Sequence, residues 1–266
     1  MKKIIKTVII LLVLIFMYAP ILILSVYSFT DATQIGGAGS PSMDNYVTLF
    51  TTPELRDMIF GTILLAFGAA FLATILGTIG AIGSFYSKKR IASVMSTLNQ
   101  IPVVNADVVT GFSICILLVV AFGISKDTYV PLVIGHVTLC APFVYLSVLP
   151  KLKQMDACIY EAALDLGASP FTALRKIVIP QIFSGILSGF ALAITLSLDD
   201  YFISTYTKPA VFDTISTYVV NATKGSQTTI KTALWALSTV IFIIVVCIVL
   251  GMNIRVYRKQ RKQEGM

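Results

Sequence analysis

The sequence predicts an all-α membrane protein with six transmembrane helices. Three observations carry that prediction. The 266 residues are 56% hydrophobic and only 12% charged, a balance of long apolar runs rather than of a soluble domain. Stretches near 7–29, 58–86, 101–124, 129–150, 182–206 and 232–254 are predominantly apolar, and each reaches the roughly 20 residues a helix needs to cross a bilayer. Fifteen of the 20 Lys and Arg fall before the first stretch, after the second, after the fourth and after the sixth. That alternation is the signature of loops sorted by the membrane.

Each element follows in order. Lys2, Lys3 and Lys6 lead into an uncharged run from Thr7 to Thr30. The run is long for a secretory signal and lacks a small-residue cleavage site, so an uncleaved first helix is expected. Residues 31–57 hold Gly36-Gly37-Ala38-Gly39-Ser40-Pro41 and read as a flexible outer loop, open to an external partner. In the second span Gly61, Gly68, Gly77 and Gly80 suit close helix packing. Asp107 interrupts the third span. The fourth carries His136, the sole histidine, expected to hydrogen-bond a neighbouring helix rather than to relay protons. Asp199 and Asp200 interrupt the fifth, and the tail 255–266 is basic. The domain reading is 1–57 for the first helix and its loop, 58–254 for the transmembrane core, and 255–266 for the tail.

The charge distribution places both termini and the 151–180 connection in the cytoplasm. Juxtamembrane basic residues of this kind set topology and touch anionic lipid, which argues against a nucleic-acid partner. The four cysteines, 115, 140, 158 and 247, have neither metal-ligand spacing nor an evident disulfide pairing. No nucleophile–base set and no G-x-x-x-x-G-K-[ST] phosphate loop occurs. The chain is therefore expected to be no enzyme, with no metal or cofactor of its own.

The most specific segment is Asp156–Pro180, DACIYEAALDLGASPFTALRKIVIP. Residues 157–166 read as a short helix, with Asp156 as N-cap and Gly167 as the left-handed residue past its end. Ser169 and Pro170 restart a helix as cap and first-turn proline, and Pro180 is expected to end or kink it. Glu161-Ala162-Ala163 precedes Gly167 by three residues, and Ile177, Ile179 and Pro180 complete the pattern.

This spacing resembles the loop of the membrane subunits of binding-protein-dependent ABC importers, with Ile179 where leucine is commonest. The resemblance covers roughly 58–254. It implies the type I permease fold, in which Glu161, Ala162, Ala163 and Gly167, with Ile177 and Pro180, form a coupling-helix elbow that docks on a separate ATPase dimer. ATP and Mg would sit on that ATPase. A sister permease chain would complete the pore, and an external binding protein would deliver the cargo.

Intramembrane acids default to functional sites, and no Lys or Arg lies well inside a span. Asp107, Asp199 and Asp200, with Tyr201 alongside, therefore favour a cationic cargo. At most one of Asp199 and Asp200 faces a pathway squarely, because successive helix positions point about 100° apart; the other is expected to cap a helix or pair with a neighbour. Tyr201, Phe202 and Tyr206 offer cation–π walls. The stretches around these acids resemble those of the spermidine/putrescine permeases. That implies polyamine cargo and an extracytoplasmic polyamine-binding protein. An importer of ferric iron or another small solute, and an ion-driven secondary transporter, are the competing readings.

Overall fold

The computed structural model describes residues 2–224, 232–243 and 246. The end of the sixth predicted span and the tail 255–266 lie outside the described residues. Among those described, all regular secondary structure is helical apart from one isolated bridge between Thr30 and Pro41. Four helical stretches are long and apolar enough to cross a membrane: Lys6–Ser28, Pro53–Tyr86, Val130–Gln154 and Pro170–Asp199. A bent pair makes a fifth if it forms one span. The chain divides into two compact units, Met1–Asp57 with Val219–Met266, and Met58–Tyr218.

In the first unit, α1 (Lys2–Ser28) is one apolar rod. The connection after it is more ordered than its glycines suggest. It contains α2 (Asp44–Thr51), and the Asn45 amide donates to the Ser28 and Thr30 carbonyls at 3.1 and 2.8 Å. A polar side chain beyond the glycines thus closes the loop by capping the end of α1. The helix Thr232–Ile243, α12 here, meets α1 through Tyr27 and Trp235, whose ring centroids are 6.1 Å apart, and through Thr239, which donates to Ser28 at 3.2 Å.

The second unit is built on three helices. These are α3 (Pro53–Tyr86, counted from Met58 in this unit), α6 (Val130–Gln154) and α9 (Ile179–Asp199). Small residues let their backbones approach, since hydrocarbon offers no hydrophobic drive for association. A Cβ on Gly77 would stand 2.7 Å from the Ala141 carbonyl oxygen, and one on Gly185 would stand 3.1 Å from that of Ser147. The buried core here gathers Ala70, Ala73, Val144, Tyr145, Val148 and Ile182.

Three predicted spans or breaks are corrected. The third span is not one rod: α4 (Lys89–Val104) and α5 (Asp107–Cys115, widening into a π turn at Ile116–Ala121) meet at 103°. Pro102 removes a helical donor, and Asn105 and Ala106 are extended. The fifth span stops at Asp199 instead of running to 206; α10 (Phe202–Thr207) is a separate helix, followed by α11 (Ile215–Lys224). Of the two outcomes expected at Pro180, an end or a kink, the end does not occur. α8 (Pro170–Ala173) passes through a π turn at Leu174–Val178 straight into α9. The wider turn accommodates the missing donor and the ring of a proline that would otherwise clash with the carbonyl four residues back.

Candidate functional site

The elbow is assembled from local signals. α7 spans Ala157–Asp165, and the Asp156 carboxylate accepts from the Cys158 N–H at 3.0 Å. At the other end Gly167 has φ +84°, its N–H donates to the Leu164 carbonyl at 2.9 Å, and the Ala168 N–H donates to the Ala163 carbonyl at 3.0 Å. This pair of bonds is a Schellman closure. A Cβ on Gly167 would meet nothing within 4 Å, so the glycine is required by the backbone angle alone. The Ser169 hydroxyl accepts from the Thr172 N–H at 3.3 Å and starts α8 at Pro170. Tyr160 anchors the elbow by packing on Tyr86 at the end of α3, with centroids 4.8 Å apart.

What the elbow leaves outside is as telling. Ala163 is buried against the fold, whereas Glu161, Ala162 and Gly167 are exposed, as is Pro180; Ile177 is half-buried. Two large apolar side chains that sequence reasoning did not single out, Leu166 and Phe171, are 89% and 72% exposed. Their signal was present: each flanks the Gly-Ala-Ser-Pro turn, where the chain cannot fold back over them. These exposed apolar residues stand near the exposed carboxylates of Glu161 and Asp165. The Asp156 carboxylate, first by hydrogen bonding and then by its charge, raises the pKa of the exposed Cys158 thiol.

The acids are placed unequally. Asp107 is exposed in the first turn of α5, beyond the 103° bend, where a carboxylate suits the helix dipole. Asp199 is exposed as the last residue of α9. Among the described residues neither takes part in an ion pair. Asp200 is different. Its side chain is 3% exposed, and its two oxygens accept from the Ile203 N–H at 3.1 Å and from the Ser204 N–H and hydroxyl at 2.7 and 2.9 Å. It caps α10 and has no face left for a pathway. Tyr201, half-buried, packs on Phe202, and Tyr206 packs on Phe112 of α5. α5 and α10 therefore meet, which draws the element carrying Asp107 to the break carrying Asp199.

His136 is fully buried and bonds neighbouring helices, as its place in the sequence led us to expect. Its Nδ1 lies 2.7 Å from the Ser197 hydroxyl and its Nε2 3.0 Å from that of Ser204. An apolar recess of about 580 Å³ between α3 and α6, lined by Leu64, Phe71 and Phe212 among others, offers no charge to a cation.

Residues 73–262 match the family model described as binding-protein-dependent transport system inner membrane component. The chain belongs to that family. Curated relatives agree. The spermidine/putrescine transport system permease protein PotC of Haemophilus influenzae is 33% identical over 214 residues, 80% of this chain and 82% of that protein. The putrescine transport system permease protein PotI of Escherichia coli K12 is 34% identical over 210 residues, 76% of this chain and 73% of that protein. Among solved structures, a bacterial ABC transporter that imports the acidic polysaccharide alginate superposes with a TM-score of 0.73 at 19% identity, covering 92% of each chain. A bacterial alginate ABC transporter in complex with its pentasaccharide-bound periplasmic protein gives 0.71 at 16% identity, covering 96% of this chain and 94% of that one. The fold of this permease is thus that of ABC importer membrane subunits. As a membrane component it is a transport subunit and not an enzyme.

Proposed function

We propose that this permease imports polyamines. It lines one side of a pathway completed by a sister permease, accepts spermidine or putrescine from an extracytoplasmic binding protein, and is driven by an ATPase dimer docked on the elbow. Both termini and the elbow face the cytoplasm. The observation that carries the cargo assignment is the relatedness, across three quarters or more of the chain, to permeases named for spermidine and putrescine. Asp107 and Asp199 support it, because both are exposed carboxylates: Asp107 stands on α5, which packs on α10, and Asp199 ends α9 just ahead of α10. A polyamine carries ammonium groups separated by methylenes, so it calls for separated carboxylates with apolar or aromatic surface between them; Phe112, Tyr206 and Tyr201 supply that surface. For the drive, the support is the exposed Glu161–Leu166–Phe171 face on a rigidly capped elbow.

The test is uptake in proteoliposomes holding the purified complex with its co-purifying ATPase and sister permease, supplied with the extracytoplasmic binding protein. ATP-dependent accumulation of labelled spermidine or putrescine is expected. Accumulation of ferric iron with no competition from spermidine would replace the cargo. Uptake that persists without ATP and collapses with the membrane potential would replace the mechanism.

A further inference from the structure

From α6 the α9–α10 break is held by the side chain of His136, and the hydrogens available to it fix how. The Ser204 hydroxyl has one hydrogen, and it is donated to the Asp200 carboxylate at 2.9 Å, on the oxygen that also lies 3.6 Å from the His136 Nε2. Toward His136 the same oxygen can therefore only accept. The Nε2 of His136, 3.0 Å away, must carry the ring hydrogen, and in the neutral ring Nδ1 is the acceptor for the Ser197 hydroxyl at 2.7 Å. The result is a directed chain: Ser197 to His136 to Ser204 to Asp200. Its two ends straddle Asp199, with Ser197 two residues before it and Asp200 directly after.

The surroundings leave α10 little freedom to find another seat. A Cβ on Gly135, beside His136, would come within 2.6 Å of the Ile203 side chain, and one on Gly111 of α5 within 2.9 Å of the Ile203 Cα. Ile203 is wholly buried between them. On the far side the Ser216 hydroxyl donates to the Leu198 carbonyl at 3.1 Å, closing the end of α9. Asp199 is left open and Tyr201 in part, beside the exposed Phe202 and Thr205 of α10.

We infer that His136 is a positioning residue for transport: by bridging Ser197 and Ser204 it fixes the backbone at 199–201 and so aims the Asp199 carboxylate and the Tyr201 ring at the cargo. The inference rests on the proposed pathway role of Asp199. His136 touches no cargo; it acts through the break.

The test uses the whole complex in proteoliposomes. His136→Leu removes both ring partners, whereas His136→Gln keeps a donor that can reach Ser204. For His136→Leu the KM for spermidine is expected to rise about tenfold with little change in maximal rate, and for His136→Gln to stay within about threefold of the parent. In an Asp199→Asn background the same His136→Leu change should add less than about twofold, because a residue that works by aiming Asp199 has nothing left to aim. An unchanged KM in His136→Leu, or effects that multiply independently in the double variant, would overturn the inference. If His136→Leu does not assemble, Ser204→Ala is read through the same cycle with the same two outcomes. A cargo-independent arm separates this idea from the polyamine reading. Labelling of Tyr201→Cys by a membrane-impermeant maleimide, corrected for the parent's own cysteines, should change about threefold or more when His136 becomes Leu or Ser204 becomes Ala. A complex that takes up no polyamine but shows that change fails only the cargo assignment; unchanged labelling sinks the positioning role.

Discussion

The elbow and the α9–α10 break use the same devices, an acid cap and a short second helix, but draw their support from different distances. At the elbow every closure is local: Asp156 reaches Cys158, Ser169 reaches Thr172 and Ala168 reaches back to Ala163. At the break the local caps of Asp200 are joined by His136, which lies 61 and 68 residues from its partners Ser197 and Ser204. The difference teaches what each region must do. The elbow is shaped by its own hydrogen bonds, is anchored on α3 through Tyr160 and Tyr86, and shows Glu161, Leu166 and Phe171 outward. A segment that carries carboxylates at membrane depth has no water to satisfy it, so its polar groups are tied to other helices.

The contrast breaks first at Glu161. Glu161→Lys puts a cation where a docking partner expects an acid, and ATP-driven uptake should fall by roughly a hundredfold or more while membrane abundance is unchanged. Uptake at the parental rate would remove the elbow from the drive. Next comes the division of labour between adjacent acids. Asp199→Asn should raise the KM for polyamine about tenfold and leave the melting temperature of the detergent-solubilised complex alone. Asp200→Ala should lower that melting temperature, because losing a capping carboxylate removes about 1–2 kcal/mol. The reverse pattern would exchange their roles. A smaller effect is expected at Gly167, where alanine would be forced to φ +84° without any clash. That conformation disfavours an L-residue by about 1–2 kcal/mol, so transport should drop severalfold and recover in part with Gly167→Asn.

The smallest effect is chemical. Asp156 raises the Cys158 pKa, so the reactive thiolate is scarcer at a given pH than for an ordinary thiol. Asp156→Asn should lower that pKa and shift the pH profile of Cys158 alkylation toward lower pH. A shift in the opposite direction would mean the carboxylate is not beside the thiol.

The same contrast explains what could be read in advance. α7, the left-handed Gly167 and the Ser169–Pro170 restart follow from residue types at short spacing, and the structure places all three where the capping rules put them. Hydropathy marks α1, α3, α6 and the main part of α9, because an apolar run needs no partner to be recognised. It fails at the 103° bend and at Asp200, where a run of apolar residues hides a change of direction made by two extended residues and a side-chain cap. The choice between Asp199 and Asp200 is made by the local capping of Ile203 and Ser204 by Asp200, seated against His136 from α6, and the apolar run around the two acids does not show which of them turns inward. Leu166 and Phe171 were overlooked for the opposite reason: in an apolar sequence a large hydrophobic residue draws little notice, and only their place on either side of the Gly-Ala-Ser-Pro turn sets them apart.

The π turn at Leu174–Val178 has a mechanical consequence. It lets α8 and α9 run as one continuous helical shaft from the elbow to Asp199, with Pro180 inside it. A π turn fits one extra residue into nearly the rotation of an α turn, so it absorbs a residue without changing the phase between the two ends of that shaft. Deleting a single residue between Pro180 and Gly185, where no such turn absorbs it, would leave both ends helical yet rotate one against the other by about 100°. Gly185 would then turn away from Ser147 while the elbow still faced its partner. Stroke and drive would fall out of time with each other, with neither part broken.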